Sequence, residues 1–234
     1  MAAATTTTTT TTTSSALAVV LLLCLCAVAS LANVTASAAD LVAKACADAT
    51  SDKANVDRFR GPGLTRESCE SALRSDKLSA VAKHPRDLAL VAMDLLLSAA
   101  AAADAKVDGA LRRAAAKWGK VTTLTFRYCR VDYQALARTV PVCRARVQEY
   151  NTSGAAAGCR QEDVHVLAPY YYFECVDKLR DAAGDCWKQV YDAEDGIIVK
   201  TGAKEAVWKE VVEATRLANL AKAMTEQMVG MFGD

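Results

Sequence analysis

The stretch from Phe126 to Tyr150, FRYCRVDYQALARTVPVCRARVQEY, has the clearest hydrophobic period in this chain. Large apolar residues and cysteines recur in it at alternating intervals of three and four residues: Phe126, Cys129, Tyr133, Leu136, Val140, Cys143, Val147 and Tyr150. This period predicts an amphipathic helix with a coiled-coil-like seam. Pro141 lies inside the stretch, and because the seam keeps its register on both sides, we expect a kink there rather than an end.

Three further segments show a similar amphipathic helical period, from about residue 86 to 118, from about 160 to 191 and from about 203 to 231. The first follows Pro85, a favourable residue for a first helical turn. The second should place these residues on one face: Val164, Ala168, Tyr171, Cys175, Leu179, Ala182 and Cys186. Four amphipathic helices joined by fairly short links predict an all-α, up-down-up-down four-helix bundle.

Two shorter helical pieces precede the bundle, from Asp40 to Asp48 and from Thr65 to Ser75. A polar loop that contains Gly61, Pro62 and Gly63 joins them. We therefore expect an N-terminal helical hairpin over residues 40–80, followed by the bundle over residues 81–234, with the two forming one domain.

The first 39 residues predict a secretion signal. Residues Ala16 to Ala29 form an uncharged apolar run, and small residues from Ala36 to Ala39 fit a cleavage site before Asp40. The run is shorter than the ~20 apolar residues that span a bilayer. We expect the mature protein to be secreted and to have no membrane segment once the signal is removed.

Seven cysteines follow residue 39, and most of them lie on the apolar seams. In a chain bound for an oxidising compartment, such cysteines predict disulfides between helices. Cys46 and Cys69 should close the N-terminal hairpin.

The other pairings depend on where the turn between the second and third long helices is centred. Residues at equal distance from the turn of an antiparallel pair lie level with one another. The turn residues Asn151 to Gly154 predict one set of pairs, which is Cys143 with Cys159 and Cys129 with Cys175. That set is preferred, because NTSG is the stronger turn signal, and it leaves Cys186 unpaired. A turn nearer Gly158 predicts another set, which is Cys143 with Cys175 and Cys129 with Cys186.

The charge of the chain is distributed unevenly. Residues 106–146 carry ten Lys or Arg and only two Asp, a net +8, whereas the whole chain has a net charge of +1. Five arginines of the Phe126–Tyr150 helix lie off its seam and are the predicted partner-binding residues: Arg127, Arg130, Arg138, Arg144 and Arg146. A cationic face of this kind would steer the protein towards an acidic partner.

The sequence contains no strong motif for catalysis, metal binding or nucleic-acid binding. Glu162-x-x-His165 has the helical spacing of a di-iron site but lacks the second such pair that this site requires. No G-x-S-x-G occurs, and no nucleic-acid-binding motif stands out. We therefore predict no catalytic residue, no metal, no cofactor and no nucleic-acid partner. Asn151-Thr152-Ser153 is a predicted glycosylation site.

The chain resembles the plant invertase and pectin methylesterase inhibitor family over essentially its whole mature length. The segments that carry the resemblance are Leu41-Val42-x-x-x-Cys46-x-x-x-Thr50, Cys69-x-x-x-Leu73-x-Ser75-Asp76, Cys129 with Tyr133, Cys175-Val176-Asp177, and Leu217-Ala218-Asn219-Leu220-Ala221. Family members are secreted four-helix bundles with an N-terminal hairpin and two internal disulfides. Cys143, Cys159 and Cys186 exceed the usual four cysteines, and the Pro-Lys-Phe tripeptide associated with invertase inhibitors is absent.

The resemblance implies a non-catalytic inhibitor in the apoplast or cell wall. Its expected partner is a pectin methylesterase, whose substrate cleft the helices of the bundle would cover. The alternative partner is an acid invertase, and a contact with pectic polysaccharide is a further expectation. A different class also stays open, a secreted helical protein that binds apolar ligands or membranes.

Overall fold

The computed structural model describes residues 41–51, 61–114, 117–150, 168–192 and 202–230. These ranges are helical and contain no strand, which confirms the predicted all-α class. In chain order the elements are α1 (41–49), α2 (Arg66–Arg74), a 3₁₀-helix (Lys77–Val81), α3 (Pro85–Ala114), α4 (Lys120–Glu149), α5 (Ala168–Asp192) and α6 (Trp208–Met228).

The four long helices form a bundle-like fold. Helix α3 packs against α4 and α6, and α5 packs against the same two helices. One hydrophobic core lies between them, and α6 is its most buried element, with every residue from Leu217 to Glu226 buried.

The seam of α4 lies in this core as the sequence predicts. Its seven residues from Phe126 to Val147 are 0–1% exposed, and Tyr150 follows as the C-terminal cap. Pro141 lies inside the helix on its exposed side, and the helix continues to Glu149. A proline is tolerated there because the seam on both sides still contributes buried apolar contacts.

The buried face of α5 differs in part from the predicted one. Leu179 and Cys186 are buried as expected, but Cys175 and Ala182 are only half-buried. Neighbouring positions take their place in the core, and these are Val176, Ala183 and Val190. The buried face of α5 is therefore rotated slightly around the helix axis from the predicted one.

Three disulfides crosslink the described chain. Cys46 is bonded to Cys69 with the Cα atoms 5.7 Å apart, which is the pairing predicted for the hairpin. Two more disulfides join α4 to α5, and these are Cys129 with Cys186 (Cα–Cα 4.7 Å) and Cys143 with Cys175 (Cα–Cα 5.7 Å).

The preferred pairing of the α4 and α5 cysteines was therefore wrong. Cys129 does not pair with Cys175, Cys143 does not pair with Cys159, and Cys186 is not left over. The observed pairs are those of a turn centred near Gly158. Helix α4 ends at Glu149 and α5 begins at Ala168, so the midpoint of their connection lies near residue 158 and not at Asn151. Cys159 lies outside the described residues.

The N-terminal segment is held to the long helices by polar contacts, and its own disulfide joins α1 to α2. Thr65 caps α2 and forms a capping box with Ser68. The side-chain amide of Asn219 donates to the carbonyl oxygen of Pro62 at 3.3 Å, and that of Gln227 donates to the carbonyl oxygen of Ala45 at 2.6 Å. Both donors lie on α6, so this helix holds the hairpin residues in place.

By length and composition, one helix in the described ranges is apolar enough to cross a membrane, over Pro85–Arg113. Its largest buried side chains include Leu88, Met93 and Leu96, which lie in the core against α4 and α6. A core helix of a bundle has the same composition, because several of its sides contact other helices.

Candidate partner-binding face

Helix α4 carries a second apolar stripe on the side opposite its seam. Val121, Leu124, Tyr128 and Val131 follow one another at intervals of three and four residues, and Val142 continues the same line after Arg138. These apolar side chains are between 47% and 61% exposed. At 3.6 residues per turn the stripe lies about 140° from the seam, so it faces away from the core.

Exposed cations border this stripe. Lys120, Arg127 and Arg138 lie along one edge of it, and the structure gives none of the three an ion pair within the described part of the chain. We call the five apolar residues and these three cations the α4 outer face. A row of apolar groups flanked by charge of one sign is typical of protein contact surfaces, because the core of an interface excludes water and its rim is polar.

Two of the five predicted contact arginines are engaged elsewhere, which corrects the expectation that all five are available. Arg130 binds two aspartates of α3, with Nε 3.0 Å from Asp104 Oδ1 and Nη1 2.6 Å from Asp108 Oδ1. Arg144 donates to both carboxylate oxygens of Asp94 on α3, from Nε to Oδ1 at 2.7 Å and from Nη2 to Oδ2 at 3.1 Å. The hydrogen bonds that Arg130 donates to Asp104 and Arg144 donates to Asp94 raise the pKa of both arginines.

These pairs fix α3 against α4. Each arginine side chain is only about one-third exposed, and the bidentate pair of Arg144 with Asp94 has a defined geometry. Of the predicted contact residues, Arg127, Arg138 and Arg146 remain on the surface. The phenol of Tyr172 donates to the backbone carbonyl of Arg146 at 3.4 Å, which places Arg146 close to α5.

A half-buried carboxyl group lies on another side of α4. The Oδ2 atom of Asp132 is buried and has no hydrogen-bond partner in the described part of the chain. Burial, and then the charge of Asp185 on α5, raise the pKa of Asp132 to about 6. The neighbouring Tyr133 hydroxyl is also buried without a partner, and burial raises the pKa of Tyr133. This region of the α4–α5 contact is therefore more stable when Asp132 carries a proton.

This leads to a prediction for the pH dependence of folding. The folded-state pKa of Asp132 lies above the value of about 3.9 for an unfolded aspartate, so its contribution to stability is present below pH ~4 and is lost as the pH rises through 6. Asp132→Asn should raise the free energy of unfolding at pH 7 by about 1–2 kcal/mol, after allowance for solvent screening, and should have little effect at pH 4.

The measurement is urea denaturation followed by circular dichroism at several pH values between 4 and 7. Glu213→Gln, which removes an exposed carboxylate of α6, is the matched control and should shift the curve little. Wild-type and Asp132→Asn curves that run parallel across this range would show that Asp132 does not titrate there.

Several predicted features lie outside the described residues, namely Glu162, His165, the glycosylation site at Asn151 and the signal segment. Within the ranges that are described, no three His, Cys, Asp or Glu side chains come together in a way that could hold a metal ion. His84 is exposed at the start of α3.

Comparison of the chain with protein-family models, curated proteins and solved structures finds no match.

Proposed function

We propose that this chain is a secreted inhibitor of a cell-wall carbohydrate-active enzyme, with pectin methylesterase as its target. The observation that carries the proposal is the α4 outer face, an exposed apolar and cationic surface on a helix that two disulfides join to its neighbour. The motif resemblance to the plant invertase and pectin methylesterase inhibitors supports the choice of target.

The topology we propose is the up-down-up-down bundle of that family. Each long helix packs mainly against two of the other three, and consecutive long helices are in contact, as an up-down-up-down order requires. The hairpin of α1 and α2, closed by Cys46–Cys69, then lies beside the bundle and is attached through the amide contacts to α6.

The proposed mechanism is steric occlusion by a preorganised surface. Crosslinks hold α4 and α5 in one arrangement, so the face loses little conformational entropy when it binds. Tyr128, Val131 and their apolar neighbours would fill a hollow at the cleft of the enzyme, and Arg127 and Arg138 would meet acidic groups at its rim. Three disulfides are compatible with the extracellular location that this target requires.

The test is an inhibition assay with purified, fully oxidised protein against a pectin methylesterase and an acid invertase, from pH 5 to pH 7. We expect saturable inhibition of the methylesterase at a 1:1 ratio. A lack of effect on both enzymes would reject the proposal, and inhibition of the invertase alone would transfer it to the alternative target.

The exposed stripe on α4 also suits the second class of function, binding of an apolar ligand or a membrane. A groove of about 330 Å³ between α2 and α6 is a less suitable ligand site, because Ser68, Ser71, Glu213 and Arg216 line it together with leucines. Co-sedimentation of the protein with neutral and anionic lipid vesicles separates the two classes. Binding to vesicles without inhibition of either enzyme would favour the second class.

A further inference from the structure

Aromatic rings gather where α5 ends and α6 begins. The ring centroids of Trp187 and Tyr191 are 4.7 Å apart and nearly parallel, and the ring of Trp208 lies 6.3–6.4 Å from both. The ammonium group of Lys204 lies over this group, 4.5 Å from the Trp208 centroid and 5.4 Å from that of Tyr191. Tyr191 is 43% exposed, and both tryptophans are partly exposed, so the cluster reaches the surface.

A cavity of about 300 Å³ adjoins the cluster. Its lining residues in the described part of the chain are Gly61, Gly184, Asp185, Trp187 and Lys188. Gly61 has a φ of +85°, and a Cβ atom there would lie 3.0 Å from Trp187 Cδ2. A glycine is therefore required at position 61 for the backbone to pass this close to the indole ring.

The indole N–H of Trp187 is buried and has no hydrogen-bond partner among the described residues. Because this atom is shielded from solvent, the cavity presents the ring of Trp187 and not its N–H group. Packing alone explains why aromatic rings cover the end of a core. It does not explain the exposed Tyr191 ring or the open cavity.

We propose that the ring cluster and its cavity form a binding site for an acidic sugar residue, such as one unit of a polyuronate. The apolar face of a pyranose ring would lie against the exposed aromatic surface. Lys188, which is exposed on the cavity wall, and Lys204 would attract its carboxylate. The carboxylate of Asp185 would accept hydrogen bonds from its hydroxyl groups.

The size and charge of the site favour this class of ligand. A cavity of this volume is at the lower end of small-molecule sites and holds about one ring, with the rest of a chain lying outside. The proposal does not depend on enzyme inhibition, since the cluster involves α5 and α6 and the α4 outer face is on another helix. An inhibitor that also held the polymer would be concentrated near enzymes that act on it.

Tryptophan fluorescence tests the proposal directly, because two of the three tryptophans in the chain belong to the cluster. Trp118→Phe removes the third, which packs edge-on against Phe126. In this background, we expect trigalacturonate to cause a saturable change in emission. Neutral maltotriose and the non-sugar polycarboxylate citrate should bind at least roughly tenfold more weakly, since each lacks one part of the recognised chemistry.

The variants that test the site are Lys188→Ala and Tyr191→Ala, each expected to weaken trigalacturonate binding roughly tenfold. Lys178→Ala is the matched control, because Lys178 is exposed on the same helix but away from the cavity, where it pairs with Glu174. The proposal is overturned if trigalacturonate gives no saturable signal, if citrate or maltotriose binds as well, or if Lys188→Ala behaves like Lys178→Ala. Enzyme inhibition is scored separately, so either proposal can fail alone.

Discussion

Replacing Cys129 and Cys186 together by alanine should lower the free energy of unfolding by about 3–4 kcal/mol. The two residues are 57 positions apart in sequence, and the crosslink between them removes loop-closure entropy from the unfolded chain. The Cys143–Cys175 loop is nested inside this one, so the outer crosslink closes a shorter effective loop than its sequence separation suggests. Both sulfur atoms are also buried, and their loss removes packing in the α4–α5 contact.

Removal of both α4–α5 disulfides should cost about 7 kcal/mol in the chain-entropy treatment, a large part of the 5–15 kcal/mol that stabilises a typical domain. The four-alanine variant is therefore expected to be largely unfolded at 37 °C. Urea denaturation with circular dichroism is the measurement. The Cys46→Ala/Cys69→Ala variant is the control that loosens the hairpin and leaves the α4–α5 contact crosslinked. A double variant at Cys129 and Cys186 within 1 kcal/mol of the wild type would contradict the prediction.

The connectivity itself can be read from a tryptic digest of the non-reduced protein. Trypsin places the four α4 and α5 cysteines in separate peptides, because a lysine or arginine lies between each of them and the next. A linked pair of Tyr128–Arg130 with Asp181–Lys188 is the expected product for Cys129–Cys186. A link from Tyr128–Arg130 to the peptide of Cys175 would restore the pairing that the NTSG turn predicts.

The sequence predicts α4 well because its seam is a local property of one helix. Phe126, Cys129 and Tyr133 are buried at the spacing that the letters show, and the register continues past Pro141. The cysteine pairs are different, because they depend on the lengths of two helices and of the connection between them. NTSG follows the end of α4 directly, so it marks where the chain leaves the helix and not the midpoint between Glu149 and Ala168.

The polar contacts of α4 are a second feature that depends on the packing of two helices and that the sequence alone does not predict. Periodicity places Arg130 and Arg144 off the seam, but it does not say which neighbour they reach. The aspartates that bind them lie on α3, from 22 residues (Asp108 to Arg130) to 50 residues (Asp94 to Arg144) away in sequence, and only the packing of the two helices brings them together. The exposed apolar stripe can be found in the sequence, because Val121, Leu124 and Tyr128 recur at the same spacing as the seam but are offset from it. The buried seam is the stronger of the two patterns, because it has more members and continues along the whole helix.

The Arg127→Glu/Arg138→Glu variant should associate with the target methylesterase on the order of tenfold more slowly at low salt, and its association rate should depend less on ionic strength. These are the two arginines of the α4 outer face that make no ion pair in the described chain, so reversing them should leave the helical circular dichroism unchanged. Arg130→Glu is unsuitable for this purpose, because it would place a third carboxylate beside Asp104 and Asp108.

The matched control for charge is Lys77→Glu/Lys83→Glu, which changes the net charge by the same amount on exposed residues near the 3₁₀-helix. If steering comes from the α4 outer face, the control should associate at close to the wild-type rate. Equal slowing of the two variants would mean that only the total charge matters, and no slowing of either would remove electrostatic steering from the mechanism.

The apolar stripe should determine how long the complex lasts. Tyr128→Ala/Val131→Ala is expected to raise the dissociation rate at least tenfold, because an aromatic residue at the centre of a contact typically accounts for 2 kcal/mol or more of binding. Leu78→Ala/Val81→Ala is the control, since these side chains are equally exposed but lie on the 3₁₀-helix. Surface plasmon resonance on the immobilised methylesterase separates the two rates. An inhibitor whose dissociation is unchanged by the Tyr128 and Val131 substitutions must bind its target through another face, even if it blocks the enzyme fully.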